Sequence, residues 1–336
     1  MNDLVEVLGS TFRRSKVGVG TIDYASGLVK SLEIPNSLLL KGLVLRLTGN
    51  LVVATANASA IANEAPLGLI KNVQIIGDGR RELFNASARR LFRLAHFTWG
   101  KQAEISAPSG TIGTRAFTAT ISIDHEMLQA VNPVESLFDP RVYKQVKINV
   151  LWGAASDIAT AGVGGTIAIS ACSLSVVADQ TADGVDQILF DHTVLQDEQP
   201  VTASSSRFSF KVPQNGLLAG VLIDCTRDTT AVDDLINTIS VKSDQTVAHY
   251  DNAAWSDLQR ESIYKYQIDG GASAGAQIPG YLYLPFMENG MISSALNTNA
   301  LNNLLLTFNV TRTSGTEIVG VTYDFLEPRR TLAASV

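Results

Sequence analysis

Ile34-Pro35-Asn36-Ser37-Leu38-Leu39-Leu40-Lys41-Gly42-Leu43-Val44-Leu45 is repeated in pattern as Val212-Pro213-Gln214-Asn215-Gly216-Leu217-Leu218-Ala219-Gly220-Val221-Leu222-Ile223. The offset is constant, since 213 − 35 and 220 − 42 both give 178. Further along, Leu69-Ile70, Val73, Ile75 and Asp78 are answered by Leu235-Ile236, Ile239, Val241 and Asp244, and 235 − 69 gives 166. Ile148-Asn149-Val150 is answered by Phe308-Asn309-Val310, and 308 − 148 gives 160. The order of the blocks is kept while the offset shrinks, as shorter loops in a second copy would require. A repeat of this length predicts two like modules, and 336 residues is enough chain for two hydrophobic cores.

Within each module the pattern is that of short strands. Thr118-Ala119-Thr120-Ile121-Ser122-Ile123 and Val146-Lys147-Ile148-Asn149-Val150 alternate with a period of two, which marks strands with one buried face. Leu43–Leu47 and Asn72–Ile76 are β-rich runs that reach Thr48-Gly49-Asn50 and Gly77-Asp78-Gly79, both read as turns. The main exception is residues 85–97, where Ala86, Ala88, Leu91, Phe92, Leu94 and Ala95, with Arg89, Arg90 and Arg93 between them, fit a helix with an apolar stripe. The second copy predicts a shorter helix over 251–264, with Asp251 as its cap and Ala254, Trp255 and Leu258 on one face. Each module thus inserts one helix at the same place.

Residues 1–20 stand apart. Leu4, Val5, Val7, Leu8 and Phe12 suit one side of a short helix, followed by Arg13, Arg14 and Lys16 and a glycine-rich exit. Such an arm suits an anionic lipid surface, a packaged genome or a neighbouring subunit. The segment 178–187 reads as a short link between the modules. Ser106–Gly113, Ala154–Gly165 and Gly270–Gly275 carry no periodicity and read as loops.

Composition narrows the function. Charged residues make up 17% of the chain, below the roughly 25% typical of soluble domains, which points to surfaces covered by neighbouring subunits. A net charge of −6 excludes nucleic-acid binding driven by the whole surface. No apolar run reaches the length of a membrane-spanning helix, and Met1-Asn2-Asp3-Leu4 does not open a secretory signal, so synthesis and use from the cytosol are expected. Cys172 and Cys225 are expected to be buried and reduced.

Catalytic signatures are missing. His96, His125, His192 and His249 lack metal-ligand spacing; His125, between Asp124 and Glu126, reads as a strand-end or surface histidine. There is no nucleophile elbow, phosphate loop or dinucleotide fingerprint. Trp99, Trp152 and Trp255 are expected in cores rather than on a sugar-stacking platform. No cofactor and no metal are called for.

Two tandem β-rich modules, carried by the 34–45 block and its copy at 212–223 and by the strand-helix blocks from Leu69 and Leu235, resemble the double jelly-roll major capsid proteins of tailless icosahedral viruses. The likeness is to bacteriophages with an internal membrane in particular, and it extends over about residues 21–330. It implies an all-β fold: an N-terminal arm over 1–20, one eight-stranded jelly-roll β-barrel over 21–180 and a second over 185–330, each with a short helix insertion. It also implies a homotrimer of hexagonal outline, a pseudo-hexamer. Its partners would be neighbouring capsid trimers, penton or minor capsid proteins and an internal lipid membrane, with no sequence-specific nucleic acid. The protein would be made in the host cytoplasm, reside in the virion capsid and catalyse nothing. The resemblance assigns Arg13, Arg14 and Lys16 to interior-face contact with membrane or genome, with Arg329-Arg330 on the same face, and makes the unpatterned loops candidate tower or inter-capsomer loops. Modules of roughly 150 residues are compact for that family. A receptor- or glycan-binding β-sandwich of spike or lectin type is the second reading, and an enzyme on paired jelly rolls the third.

Overall fold

The structure, a computed structural model, describes residues 14–62, 64–100, 102–127, 130–131, 133–181, 188–244, 246–266, 278–287 and 290–329. Backbone contacts divide the chain into two units. Unit 1 comprises Met1–Ala95, Ala103–Leu128 and Asn132–His192, and unit 2 comprises His96–Gln102, Gln129–Val131 and Thr193–Val336.

Unit 1 contains β1 (Arg14–Asp23), β2 (Val29–Ile34), β3 (Leu39–Ala54), β4 (Ile70–Gly77) and β5 (Arg81–Ala86). Helix α1 (Ala88–Trp99) follows, in this unit as far as Ala95, then β6 (Gly113–Asp124), β7 (Val146–Trp152) and β8 (Thr166–Thr181). The strands form two four-stranded antiparallel arrays, in the orders β1-β8-β3-β6 and β2-β7-β4-β5. The period-two alternation sends Leu43, Leu45, Leu47, Ile121, Leu174 and Val176 from one array and Val73, Ile75, Ile148 and Val150 from the other into a common interior, all essentially inaccessible.

Unit 2 repeats this strand for strand. It contains β9 (Phe190–Pro200, of which Thr193 onward belongs to this unit), β10 (Ser205–Lys211), β11 (Leu217–Arg227), β12 (Ile236–Ser243) and β13 (Val247–Ala254), then α2 (Trp255–Tyr266), β14 (Tyr281–Pro285), β15 (Leu304–Val310) and β16 (Glu317–Pro328). The orders β9-β16-β11-β14 and β10-β15-β12-β13 are those of unit 1 with eight added to every strand number. Phe210, Val221, Ile223, Ile239, Val241, Leu282, Leu306, Phe308, Val319 and Val321 make its core.

The blocks matched in sequence occupy equivalent places: the entry to and start of β3 and β11, β4 and β12, and β7 and β15. The likeness reaches the irregularities. Pairing skips Lys41 in β3 and Ala219 in β11, so that Gly42 then faces Asp179 and Gly220 faces Asp324. Asp78 and Asp244 both hold a left-handed backbone, at φ 50 and φ 48, a conformation that aspartate tolerates better than most residues. Asp78 Oδ1 accepts from Gln145 N at 3.0 Å, and Asp244 Oδ1 accepts from Asn303 N at 3.0 Å, each fastening the chain where it enters β7 or β15.

Several local expectations are corrected. Thr48-Gly49-Asn50 is no turn: β3 runs straight through it, and Gly49 is there because an added Cβ would lie 2.6 Å from Phe117 Cζ. Helix α1 begins at Ala88, with Ser87 Oγ accepting from Arg90 N at 3.4 Å. Helix α2 begins at Trp255. Asp251 therefore lies in β13, where it bridges Lys242 at 2.8 Å instead of capping a helix. Residues 14–20, assigned to the arm, form the first part of β1 and pair with β8. The amphipathic stretch 1–13, link residues 182–187 and the loop 270–275 lie outside the described residues.

Candidate interaction surfaces

Register places both ends of unit 1. Arg14 and Leu39 both face Thr181, and Gly42 faces Asp124, so the start of β1, the β2–β3 turn and the exit of β6 share one end. The β4–β5 turn joins them, since Asp78 N donates to Gln145 O at 2.8 Å. This end is rich in charge. Lys41 bridges Glu126 at 3.0 Å, Arg81 bridges Asp191 at 2.7 Å and Arg141 bridges Asp139 at 2.7 Å. Lys16, Arg80 and Lys144 are exposed there.

Of the three basic residues singled out in the sequence, Arg13 lies outside the described residues. Arg14 and Lys16 are in β1, where Lys16 faces Asp179 in register. Arg330 is also outside the described residues. Arg80 and Lys144 were missed. Their signal is faint, because Gly77-Asp78-Gly79-Arg80 reads only as a turn until topology puts it beside Lys144. The arginines of α1 are used internally: Arg93 pairs with Glu64, and Arg90 is buried.

The opposite end is built by three loops. Ala58 N donates to Gly110 O at 2.7 Å, Ile112 N to Asn57 Oδ1 at 2.9 Å and Ser59 N to Thr160 O at 2.9 Å. Two-residue strands Ala60–Ile61 and Ala159–Thr160 pair beneath them. Residues 54–62, 105–114 and 158–165 contain no Asp, Glu, Lys or Arg, and they expose Ile112 and Val163. Segment 106–113 and the 158–165 part of 154–165, read as separate loops, therefore make one uncharged crown, with Asp157 outside it and bridged to Lys71.

His125 is wholly buried, a correction to its reading as a strand-end or surface residue. Its ring stacks on Phe138 with centroids 4.9 Å apart and meets Phe84 edge-on at 5.0 Å. Neither ring nitrogen has a hydrogen-bond partner. Burial, helped by the nearby His192 imidazole, depresses its pKa from 6.5 to about 3, so the ring is neutral. Cys225 is buried, whereas Cys172 is only half-buried, unlike the expectation for both. Burial pushes the Cys172 thiol up to about 12, which leaves it protonated and unreactive. Trp152 and Trp255 are core residues, and the Trp99 side chain lies outside the described residues. Among the described residues no three His, Cys, Asp or Glu side chains gather to hold a metal, and no helix is long and apolar enough to cross a membrane.

No protein-family model and no curated protein matches the chain. Solved structures do. The major capsid protein of Sulfolobus Turreted Icosahedral Virus superposes with a TM-score of 0.73 at 15% identity, covering 96% of this chain and 100% of that one. The major capsid protein P2 from bacteriophage PM2 gives 0.62 at 13% identity, over 95% and 99%. A chain of the PBCV-1 virus capsid gives 0.60 at 10% identity, over 94% and 94%. Strand order within each unit and these superpositions lead to one conclusion: the chain has the double jelly-roll fold, shared along nearly its whole length with capsid proteins of icosahedral viruses.

Proposed function

We propose that the chain is the major capsid protein of an icosahedral virion, acting as a homotrimer whose six barrels tile the shell as a pseudo-hexamer. The observation that carries this reading is the strand-for-strand duplication, down to the bulges at Lys41 and Ala219, in a chain that superposes end to end on capsid subunits. Two like barrels per chain let threefold association imitate sixfold packing, and the 17% charged residues suit surfaces buried between subunits. The exposed cations Lys16, Arg80 and Lys144, with Arg13 and Arg14 next in sequence, suit an end that faces anionic lipid or genome inside the shell. A bacteriophage source, an internal membrane and penton or minor capsid partners belong to this reading too.

The test is direct. Purified protein is expected to give a trimer by native mass spectrometry and closed shells or hexagonal sheets in electron micrographs. A monomer that never assembles and binds a glycan array would replace this reading with the receptor- or glycan-binding one.

A further inference from the structure

The turn that leads into β11 carries Asn215-Gly216, where the equivalent turn of unit 1 has Ser37-Leu38, since 215 − 178 gives 37. In unit 2 this pair is clasped from several sides. Asn215 Nδ2 donates to Glu327 Oε1 at 2.6 Å and to Thr193 Oγ1 at 3.3 Å, and Thr193 Oγ1 itself donates to Glu327 Oε1 at 3.1 Å. Asn215 N donates to Thr298 Oγ1 at 3.1 Å, while Thr298 holds the Gly216 carbonyl through its hydroxyl at 2.8 Å and its N–H at 2.9 Å. Gly216 is at φ 113 and so close to β16 that an added Cβ would lie 2.7 Å from the Leu326 carbonyl oxygen. All of these residues belong to unit 2.

In an Asn-Gly pair the side-chain amide is open to attack by the next backbone nitrogen, because glycine offers no side chain to hinder it. We infer that Asn215 is a site of spontaneous deamidation, that the closed clasp protects it, and that its conversion to a carboxylate keeps the clasp from closing again. In the reaction the Gly216 nitrogen bonds to Asn215 Cγ and closes a five-membered imide. The Cγ–Nδ2 bond breaks, and the nitrogen leaves as ammonia with the proton that Gly216 gives up. Water then opens the imide to aspartate or isoaspartate. Ring closure needs the amide to leave Glu327 and the backbone at 215–216 to turn. The bonds to Thr193, Glu327 and Thr298 oppose both, so the reaction waits for local opening. Either product sets a second carboxylate against Glu327, beside the fully buried Thr193, where a donor stood at 2.6 Å. Isoaspartate also adds a methylene to the main chain, at a turn with no room for a Cβ on Gly216. The change is therefore one-way: a subunit that opens here and reacts does not re-form the clasp. The chemistry is independent of the capsid reading.

Peptide mapping of the full chain by mass spectrometry, after incubation in mildly alkaline buffer with and without urea, tests this. In urea Asn215 is expected to deamidate alongside Asn289, which also precedes a glycine and lies outside the described residues. In the folded protein Asn215 is expected to react roughly a hundredfold more slowly than in urea. Equal rates in the two conditions, or no reaction at Asn215 in urea while Asn289 converts, overturn the protected site. Asn215→Asp reproduces one product and is expected to lower the urea midpoint and to speed hydrogen exchange at the clasp. Adding Glu327→Gln, which turns the facing carboxylate into a group that also donates, is expected to restore both. An Asn215→Asp chain as stable as the parent, or one that Glu327→Gln does not rescue, refutes the one-way step.

Discussion

Tyr283 reaches over Gly220 to donate a hydrogen bond from its Oη to Asp324 Oδ2 at 3.3 Å, just past the β11 bulge. The glycine makes this possible, since a Cβ there would sit 2.0 Å from the Tyr283 oxygen. Gly42 has the same place in unit 1, facing the buried Asp179, and a Cβ on it would lie 2.8 Å from the Ile123 carbonyl.

Gly220→Ala is therefore expected to displace Tyr283, deprive buried Asp324 of this donor and lower stability by roughly 2–4 kcal/mol. Urea denaturation checks it. In combination with Tyr283→Ala the cost is expected to be smaller than the sum of the two single changes, because the clash is then gone.

The neutral His125 sets a pH dependence. Its folded pKa of about 3 lies below the ordinary 6.5, so the unfolded chain binds the proton first. Stability is then full above pH 6.5 and falls as the pH drops from there towards 3, by about 2 kcal/mol at pH 5 from this group. Charged neighbours at the same end, the Lys41–Glu126, Arg81–Asp191 and Arg141–Asp139 bridges, remain in His125→Phe. That variant is expected to flatten the slope between pH 7 and pH 5 in denaturation midpoints, and an unchanged slope would show that His125 does not set it.

Phe308 is fully buried in unit 2 and meets Phe210 edge-on at 5.9 Å. Phe308→Ala is expected to cost roughly 3–5 kcal/mol through the lost transfer energy and the cavity left behind. The fluorescence of Trp255, in the core of unit 2, is expected to report the loss at lower denaturant than that of Trp152 in unit 1. Single-tryptophan variants separate the two signals.

Charge at the basic end is expected to control lipid association. Lys16→Glu, Arg80→Glu and Lys144→Glu together are expected to abolish co-flotation with vesicles containing anionic lipid, at roughly 1 kcal/mol per removed cation, without altering the fold. Reversing Arg115 instead, at the foot of the uncharged crown, is expected to leave flotation unchanged.

Much of this architecture was legible beforehand. Strands β6 and β7 announce themselves by alternation, the β4–β5 turn by its Asp-Gly pair, and α1 by its Leu91, Phe92 and Ala95 stripe. The readings that went astray share a cause. Gly49 looks like a turn because glycine is a poor strand residue, and only the ring of Phe117 across the sheet explains it. Asp251 has the right chemistry for a helix cap, but pairing with β12 carries the strand three residues beyond it.

The sequence by itself determined how many modules there are, their order and which residues of each strand turn inward, because side-chain alternation is a local property written residue by residue. The tertiary structure alone decided that Arg80 and Lys144 join Lys16 at one end, that three loops without charge merge at the other, and that His125 is sealed between Phe84 and Phe138. These depend on which strands pair across more than a hundred residues of chain, and pairing at that range is set by the closing of whole sheets rather than by any stretch of sequence read alone.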